Sequence, residues 1–322
     1  MKDQPTHATS IHTANIGKFQ DPFVTAKGDE RAQVALTNPE TLWFNTGTLC
    51  NIACVNCYID SSPKNDALVY ISADEVSAYL AQLVARKWGA REIGFTGGEP
   101  FMNPEMIEIL TRSLEAGYEV LVLTNAMQPM MRPAMQQGIK SLVSKYRDKL
   151  TFRISLDHYD MKNHDDVRGA GAYTRTLEGM AWLSEQNAQI ASAGRMMWDE
   201  TEAQSRAGYG DLFLAHGFAI DAQNPSQCVL FPEMDENVEV PEITTACWDI
   251  LNVSTTNVMC SSSRMVVKRK GAEKPAVLAC TLLPYSPEFE LGETLEQAEK
   301  SVQLNHPHCA KFCVLGGASC SG

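Results

Sequence analysis

A chain of 322 residues, 44% of them hydrophobic, has enough apolar surface for one large core and a smaller appended unit. With 39 acidic and 27 basic side chains its net charge is -12, so attraction to a phosphate backbone is excluded as a driving force and nucleic acid is not an expected partner. The opening residues lack the basic and apolar stretches of a secretory signal, and no run is long enough to span a bilayer, which predicts a cytoplasmic protein without a membrane partner.

Residues 1–40 are polar, with scattered Gly, Pro and Thr and no sustained period, and predict an irregular extension. From residue 41 short apolar runs alternate with helical patterns. Strands are expected at Thr41–Asn45, Glu92–Phe95, Glu119–Leu123, Thr151–Leu156, Gln189–Ala193 and Gln227–Phe231. Between the first two, Ser72 and Glu75 form a capping box, and Val76, Tyr79, Leu80, Leu83 and Val84 then share one helix face. Asn103-Pro104 reads as a cap followed by a first-turn proline, with Ile107, Leu110 and Leu114 as the buried stripe and Gly117 at the helix end. Two more helices are expected over Pro133–Tyr146 and Tyr173–Gln186. Strands alternating with helices predict an α/β fold with a parallel sheet, open or curled, whose chemistry sits at the carboxyl ends of the strands. The Cys50 loop, the Gly97-Gly98 turn and the Asp157 region each follow a strand and should converge on one rim.

The ten cysteines fall in two groups: three lie within Leu49–Tyr58 and the rest after residue 227. In a reducing compartment clustered thiols are more often metal ligands or catalytic groups than disulfides, so two separate sites are expected. Near Pro241 the pattern changes to short cysteine-rich segments with one helix, around Thr294–Val302, which predicts a second, small domain held together by metal. The domains expected are therefore 41–235 and 241–322.

Cys50-Asn-Ile-Ala-Cys54-Val-Asn-Cys57 places three soft thiolate ligands in one loop after the first strand. A structural zinc site wants four, and three leave one metal position open for substrate. Zinc and iron–sulfur both remain open on the spacing alone. Downstream, Thr96-Gly97-Gly98-Glu99-Pro100 is either a plain glycine turn or a place where backbone and carboxylate approach an ammonium group. Thr124-Asn125 and Ser155-Leu-Asp157 end the third and fourth strands with groups that either cap the strand or suit a ribose.

The spacing C-x3-C-x2-C after a strand resembles the radical S-adenosylmethionine (SAM) superfamily, and the Gly-Gly-Glu-Pro turn after the next strand is similar to that family's motif. This resemblance implies a partial (β/α)6 TIM-like barrel with a small cysteine-rich C-terminal domain. It implies a [4Fe–4S] cluster on Cys50, Cys54 and Cys57, whose open iron binds SAM and whose electron cleaves it to a 5′-deoxyadenosyl radical. Gly97, Gly98 and Glu99 would then hold the SAM amino group, and Thr124, Asn125, Ser155 and Asp157 its ribose. His164-Asp165-Asp166-Val167-Arg168-Gly169 resembles a further family segment, which assigns the SAM carboxylate to Arg168, with Arg195 as a second candidate or a surface ion pair. The family usually has a bulky residue before the third cysteine. Here it is Asn56, with Tyr58 adjacent as the candidate adenine contact.

The order Cys260, Cys280, Leu291-Gly292, Cys309-x3-Cys313-x6-Cys320 is similar to the SPASM and twitch auxiliary-cluster domains of that family. Four of these five cysteines, with Cys320 left out, are expected to hold an auxiliary [4Fe–4S] cluster. A four-cysteine zinc knot, with His306 and His308 flanking Cys309, is the competing reading. Cys228 and Cys247 are expected to be buried thiols. The function implied is hydrogen abstraction from a small-molecule or peptide substrate, with a reductant such as flavodoxin or ferredoxin. An iron–sulfur electron-transfer or redox-sensing protein and a zinc-stapled α/β binding protein are the alternatives.

Overall fold

The computed structural model describes residues 17–233 and 239–316. In chain order its elements are β1 (Gln33–Val34), β2 (Thr41–Asn45), α1 (Ala73–Arg86), β3 (Glu92–Thr96), α2 (Met106–Glu115), β4 (Glu119–Thr124), α3 (Pro133–Tyr146) and β5 (Leu150–Ser155). There follow α4 (Met161–Arg168), α5 (Ala172–Glu185), β6 (Gln189–Met196), α6 (Glu202–His216), β7 (Cys228–Pro232) and α7 (Cys247–Leu251). The chain then forms β8 (Ser263–Val267), β9 (Ala276–Leu278), β10 (Glu290–Gly292), β11 (Val302–Gln303) and a π-helix over Cys309–Val314.

The main sheet runs β10-β9-β8-β2-β3-β4-β5-β6-β7. Every pairing from β8 through β2 to β7 is parallel, so the six expected strands appear in sequence order with helices between them, as in a partial barrel. β2 is buried along its whole length, as a strand flanked on both sides and covered on both faces must be. On its helix side Phe44 stacks on Phe95 at 5.7 Å, with the ring of Tyr79 from α1 edge-on to Phe44 at 6.0 Å. On its inner side Trp43 occupies the space beside Gly94, where a Cβ would come within 2.4 Å of the indole.

The capping box of α1 forms as expected, Glu75 N to Ser72 Oγ at 3.2 Å and Ser72 N to Glu75 Oε2 at 2.9 Å. α2 begins at Met106 rather than at Pro104, because Pro100–Met102 makes a short 3-10 turn and Asn103 Oδ1 is taken by Glu105 N. Three α-helices, α4, α6 and the short α7, are additional to those the periodicity predicts. In α6 only Ser205, Tyr209 and Phe213 are buried, too narrow a stripe to stand out, although Thr201 and Gln204 form a capping box at its start.

After Pro241 the structure departs further. The helix expected over Thr294–Val302 is a single 3-10 turn, Gln297–Glu299, followed by β11. Its carbonyls are claimed from outside: the Arg264 guanidinium donates to Ala298 O at 2.9 Å and to Lys300 O at 3.2 Å, which leaves no α-helical ladder to extend. Residues 241–316 also share the sheet of the first unit, through the pairing of β8 with β2. Residues 17–40 are irregular but packed: β1 pairs with β11, and buried Arg31 forms an ion pair with Glu242 at 2.5 Å. No helix among the described residues is long and apolar enough to cross a membrane.

Candidate functional site

An open cavity of about 1060 Å³ lies at the carboxyl ends of β2 to β7. The loop after β2 brings Cys50, Cys54, Cys57 and Tyr58 to its edge. Gly97 and Gly98 line it after β3, Thr124 and Asn125 after β4, Ser155 and Asp157 after β5, Arg195 from β6 and Arg168 from the end of α4. Every residue expected at the first site is thus a wall of this cavity, except Glu99.

Glu99 sits behind the wall. Its Oε1 accepts from Thr124 Oγ1 at 2.8 Å and Phe101 N at 3.2 Å, and its Oε2 from Asn125 N at 2.8 Å. Burial pushes this carboxyl up, while the three donors pull it back. Its observed role is to lock the end of β4 against the turn after β3. That turn is in turn locked to the cysteine loop by Gly98 N to Gly47 O at 2.8 Å and Glu99 N to Leu49 O at 3.1 Å. A Cβ on Gly98 would lie 2.2 Å from Leu49 O, so glycine is required by close approach.

The cysteine loop is held on three further sides. Val55 N donates to Val167 O at 2.9 Å, and Arg195 Nη1 reaches the carbonyls of Val55 and Asn56 at 3.3 and 3.4 Å. Asn125 Nδ2 donates to Asn51 Oδ1 at 2.9 Å and stands 3.9 Å from Cys50 Sγ. Asn56 itself has φ +54°, a left-handed conformation that asparagine tolerates better than most side chains. Tyr58 Oη lies 3.3 Å from Thr96 Oγ1.

The charged centre is Asp157 between two guanidiniums. Arg168 Nε and Nη2 contact its two oxygens at 2.7 and 3.1 Å, and Arg195 Nε approaches at 3.3 Å. Burial opposes ionisation of Asp157, but Arg168 and then Arg195 outweigh it and hold the carboxyl below its usual range. Cys50 is pushed up to about 12, chiefly by burial, and Cys54 is raised for the same reason. Of the His164–Gly169 segment only Arg168 reaches the cavity. Asp165 instead caps α5, accepting from Gly171 N and Tyr173 N at 2.7 Å each, and buried His164 packs edge-on to Tyr173.

A second hollow, of about 300 Å³, is bordered by Cys260, Cys280, Cys309 and Cys313 among apolar side chains. Cys320 lies outside the described residues. Neither His306 nor His308 borders the hollow; His306 turns its ring edge to Phe289. Among the described residues no three His, Cys, Asp or Glu side chains converge as if on a single ion. Cys228 is buried; Cys247 is only half-buried, its sulfur 3.4 Å from Thr244 N, and neither borders either of these two cavities. The two hollows stand back to back. Leu282 and Phe312 face the first and Leu283 and Cys313 the second, so neighbouring residues form the partition. Phe312 stacks on Phe231 at 5.6 Å. These apolar walls escape sequence reading, although Phe312 stands between two of the expected ligands.

A family model described as the radical SAM superfamily matches residues 44–202. Among curated proteins, the antilisterial bacteriocin subtilosin biosynthesis protein AlbA of Bacillus subtilis (strain 168) is 30% identical over 155 residues, 47% of this chain and 32% of AlbA. A probable GTP 3',8-cyclase of Sulfolobus acidocaldarius is 29% identical over 134 residues, 41% of this chain and 38% of the cyclase. The match therefore spans 32% and 38% of these relatives' own lengths. Among solved structures, Streptococcus suis SuiB bound to S-adenosylmethionine has a TM-score of 0.58 at 13% identity, covering 80% of this chain and 63% of SuiB. The structure of anSMEcpe with bound AdoMet gives 0.57 at 13%, covering 81% and 77%. At such identities these two speak for the fold, and the family match together with the rim of three cysteines and the Gly97-Gly98 turn speaks for the rest. Residues 44–202 form a radical SAM domain.

Proposed function

We propose that the protein cleaves SAM reductively and uses the resulting radical to abstract hydrogen from a peptide or small-molecule substrate. The observation that carries this reading is the meeting of Cys50, Cys54 and Cys57 with Asp157, Arg168 and Arg195 around one cavity at the strand ends. The three thiols fit a [4Fe–4S] cluster: they are soft donors on one loop, and they leave one position free. When bound, that cluster supplies the electron that breaks the carbon–sulfur bond of the sulfonium.

The chain's own groups do the positioning. Arg168 and Arg195 share a single carboxylate, so the pair keeps an uncompensated positive charge that suits the SAM carboxylate. With both oxygens of Glu99 engaged, the amino group is served by backbone carbonyls at the Gly97-Gly98 turn. Ser155 offers a hydroxyl for the ribose, and Asn125, whose amide already bonds Asn51 and Met127 N, borders the same wall. Thr124, already donating to Glu99, can only accept there. Tyr58, on the cavity wall, offers its ring as a flat partner for the adenine.

We extend the proposal to an auxiliary [4Fe–4S] cluster on Cys260, Cys280, Cys309 and Cys313, in a domain of the SPASM or twitch kind. Four thiols bordering one hollow suit a multi-iron cluster, whose ligands need not close on a single ion as those of a structural zinc site do. Its position behind Leu282 and Phe312 suits an electron acceptor or donor for the substrate. The names of AlbA and of SuiB bound to precursor peptide SuiA favour a peptide as that substrate. Flavodoxin or ferredoxin would supply the reducing electron.

The test is anaerobic loading with iron and sulfide, followed by electron paramagnetic resonance of the reduced protein with and without SAM. A SAM-induced spectral change is expected in the wild type and in Cys313→Ala, and its absence in Cys54→Ala. Survival of the change in Cys54→Ala would contradict the assignment of the first cluster.

A further inference from the structure

We propose that Arg264 is the built-in counter-charge of the auxiliary cluster and raises its reduction potential; this rests on the second cluster proposed above. Arg264, on β8, is 0% exposed. Its guanidinium donates to Cys260 O at 2.5 Å, Ser263 O at 2.8 Å, Ala298 O at 2.9 Å and Lys300 O at 3.2 Å. Every partner is a carbonyl. The other deeply buried guanidiniums described above are paired with carboxylates, Arg31 with Glu242 and Arg168 with Asp157. Among the described residues no carboxylate pairs with Arg264.

Carbonyls satisfy the N–H groups but leave the charge in place, and a buried charge without an opposite one is costly. The residue whose carbonyl it grips, Cys260, borders the second hollow together with Cys280, Cys309 and Cys313. Metal ligation requires those thiols as thiolates, which bring more negative charge than an iron–sulfur core cancels. The loaded site is therefore the missing anion. Reduction adds one more negative charge to the cluster, so a fixed cation beside it favours the reduced state and raises the potential.

The competing role is a mechanical staple that holds residues 298–300 to β8. The two differ in what removal of the charge does. The full-length protein, with and without iron and sulfide, would be compared as wild type, Arg264→Lys and Arg264→Met, reading thermal midpoints and the potential of the second cluster. The signal that SAM does not perturb identifies that cluster. Expected for Arg264→Met is a larger loss of thermal stability in the loaded form than in the unloaded one, where only the four carbonyl bonds are lost. Its second-cluster potential should be lower by at least tenfold in the reduction equilibrium, about 59 mV for one electron. Arg264→Lys should stay near the wild type. Equal destabilisation of loaded and unloaded Arg264→Met, failure of that variant to fold where unloaded wild type folds, or an unmoved potential would overturn the proposal. Wild type that binds iron for one cluster only would instead overturn the reading of the second site.

Discussion

Asp157 sits at the charge balance of the first cavity, paired with two guanidiniums that are themselves nearly inaccessible. Removing its charge leaves Arg168 and Arg195 repelling each other in a buried place, a loss of roughly 3–5 kcal/mol for a broken buried pair. Asp157→Asn is therefore expected to lower the denaturant midpoint clearly and to weaken SAM binding. The pH dependence follows from the direction of the shift. Because its folded pKa is depressed, the stabilisation by Asp157 is complete above the unfolded value of about 3.9 and is lost as pH falls below that through the folded value. Stability measured from about pH 6 downward should fall less steeply in Asp157→Asn than in the wild type. Parallel curves would show that the pair contributes nothing to acid sensitivity.

At the scale of elements, the site depends on how closely the turn after β3 approaches the cysteine loop. Gly98→Ala would drive a methyl into the carbonyls of Leu49 and Thr48, 2.2 and 2.7 Å from the new Cβ. Backbone cannot yield as a flexible side chain can, so the loop must move. Iron analysis of the loaded variant should show the first cluster lost and the second retained; full loading of both would contradict the close-approach argument. The first site was readable in the sequence because strand, turn and ligand follow one another within short segments, each with its own local signal. Glu99 shows the limit of such reading: its position was foreseen, but only packing reveals that Thr124 and Asn125 consume its oxygens. The C-terminal part was less legible for a physical reason. Its strands are two to five residues long, and its conformation is set by distant groups such as Arg264, which converts the expected helix after Thr294 into a 3-10 turn and a strand.

Over the whole molecule, residues 241–316 continue the sheet of the preceding strands and reach back to the first cysteine loop. Tyr285 Oη donates to Ile59 O at 2.8 Å and accepts from Asn65 Nδ2 at 3.2 Å, joining the partition between the two hollows to the segment just after Cys57. Tyr285→Phe removes both bonds while keeping the ring. It is expected to cost about 0.5–1.5 kcal/mol per bond in a denaturant titration. An unchanged midpoint would mean that these two bonds add nothing to the coupling of residues 241–316 to the rest. Spacing alone could not say which C-terminal cysteines meet; the hollow bordered by Cys260, Cys280, Cys309 and Cys313 depends on pairing across the whole sheet.

The central claim is tested most directly by 5′-deoxyadenosine. The anaerobically loaded protein would be given SAM and a strong reductant, with and without a cell extract to supply substrate, beside a variant in which Cys50, Cys54 and Cys57 are all alanine. The account predicts 5′-deoxyadenosine from the wild type and none from the variant. A fully loaded wild type that makes none under either condition, or a variant that makes as much, would contradict it.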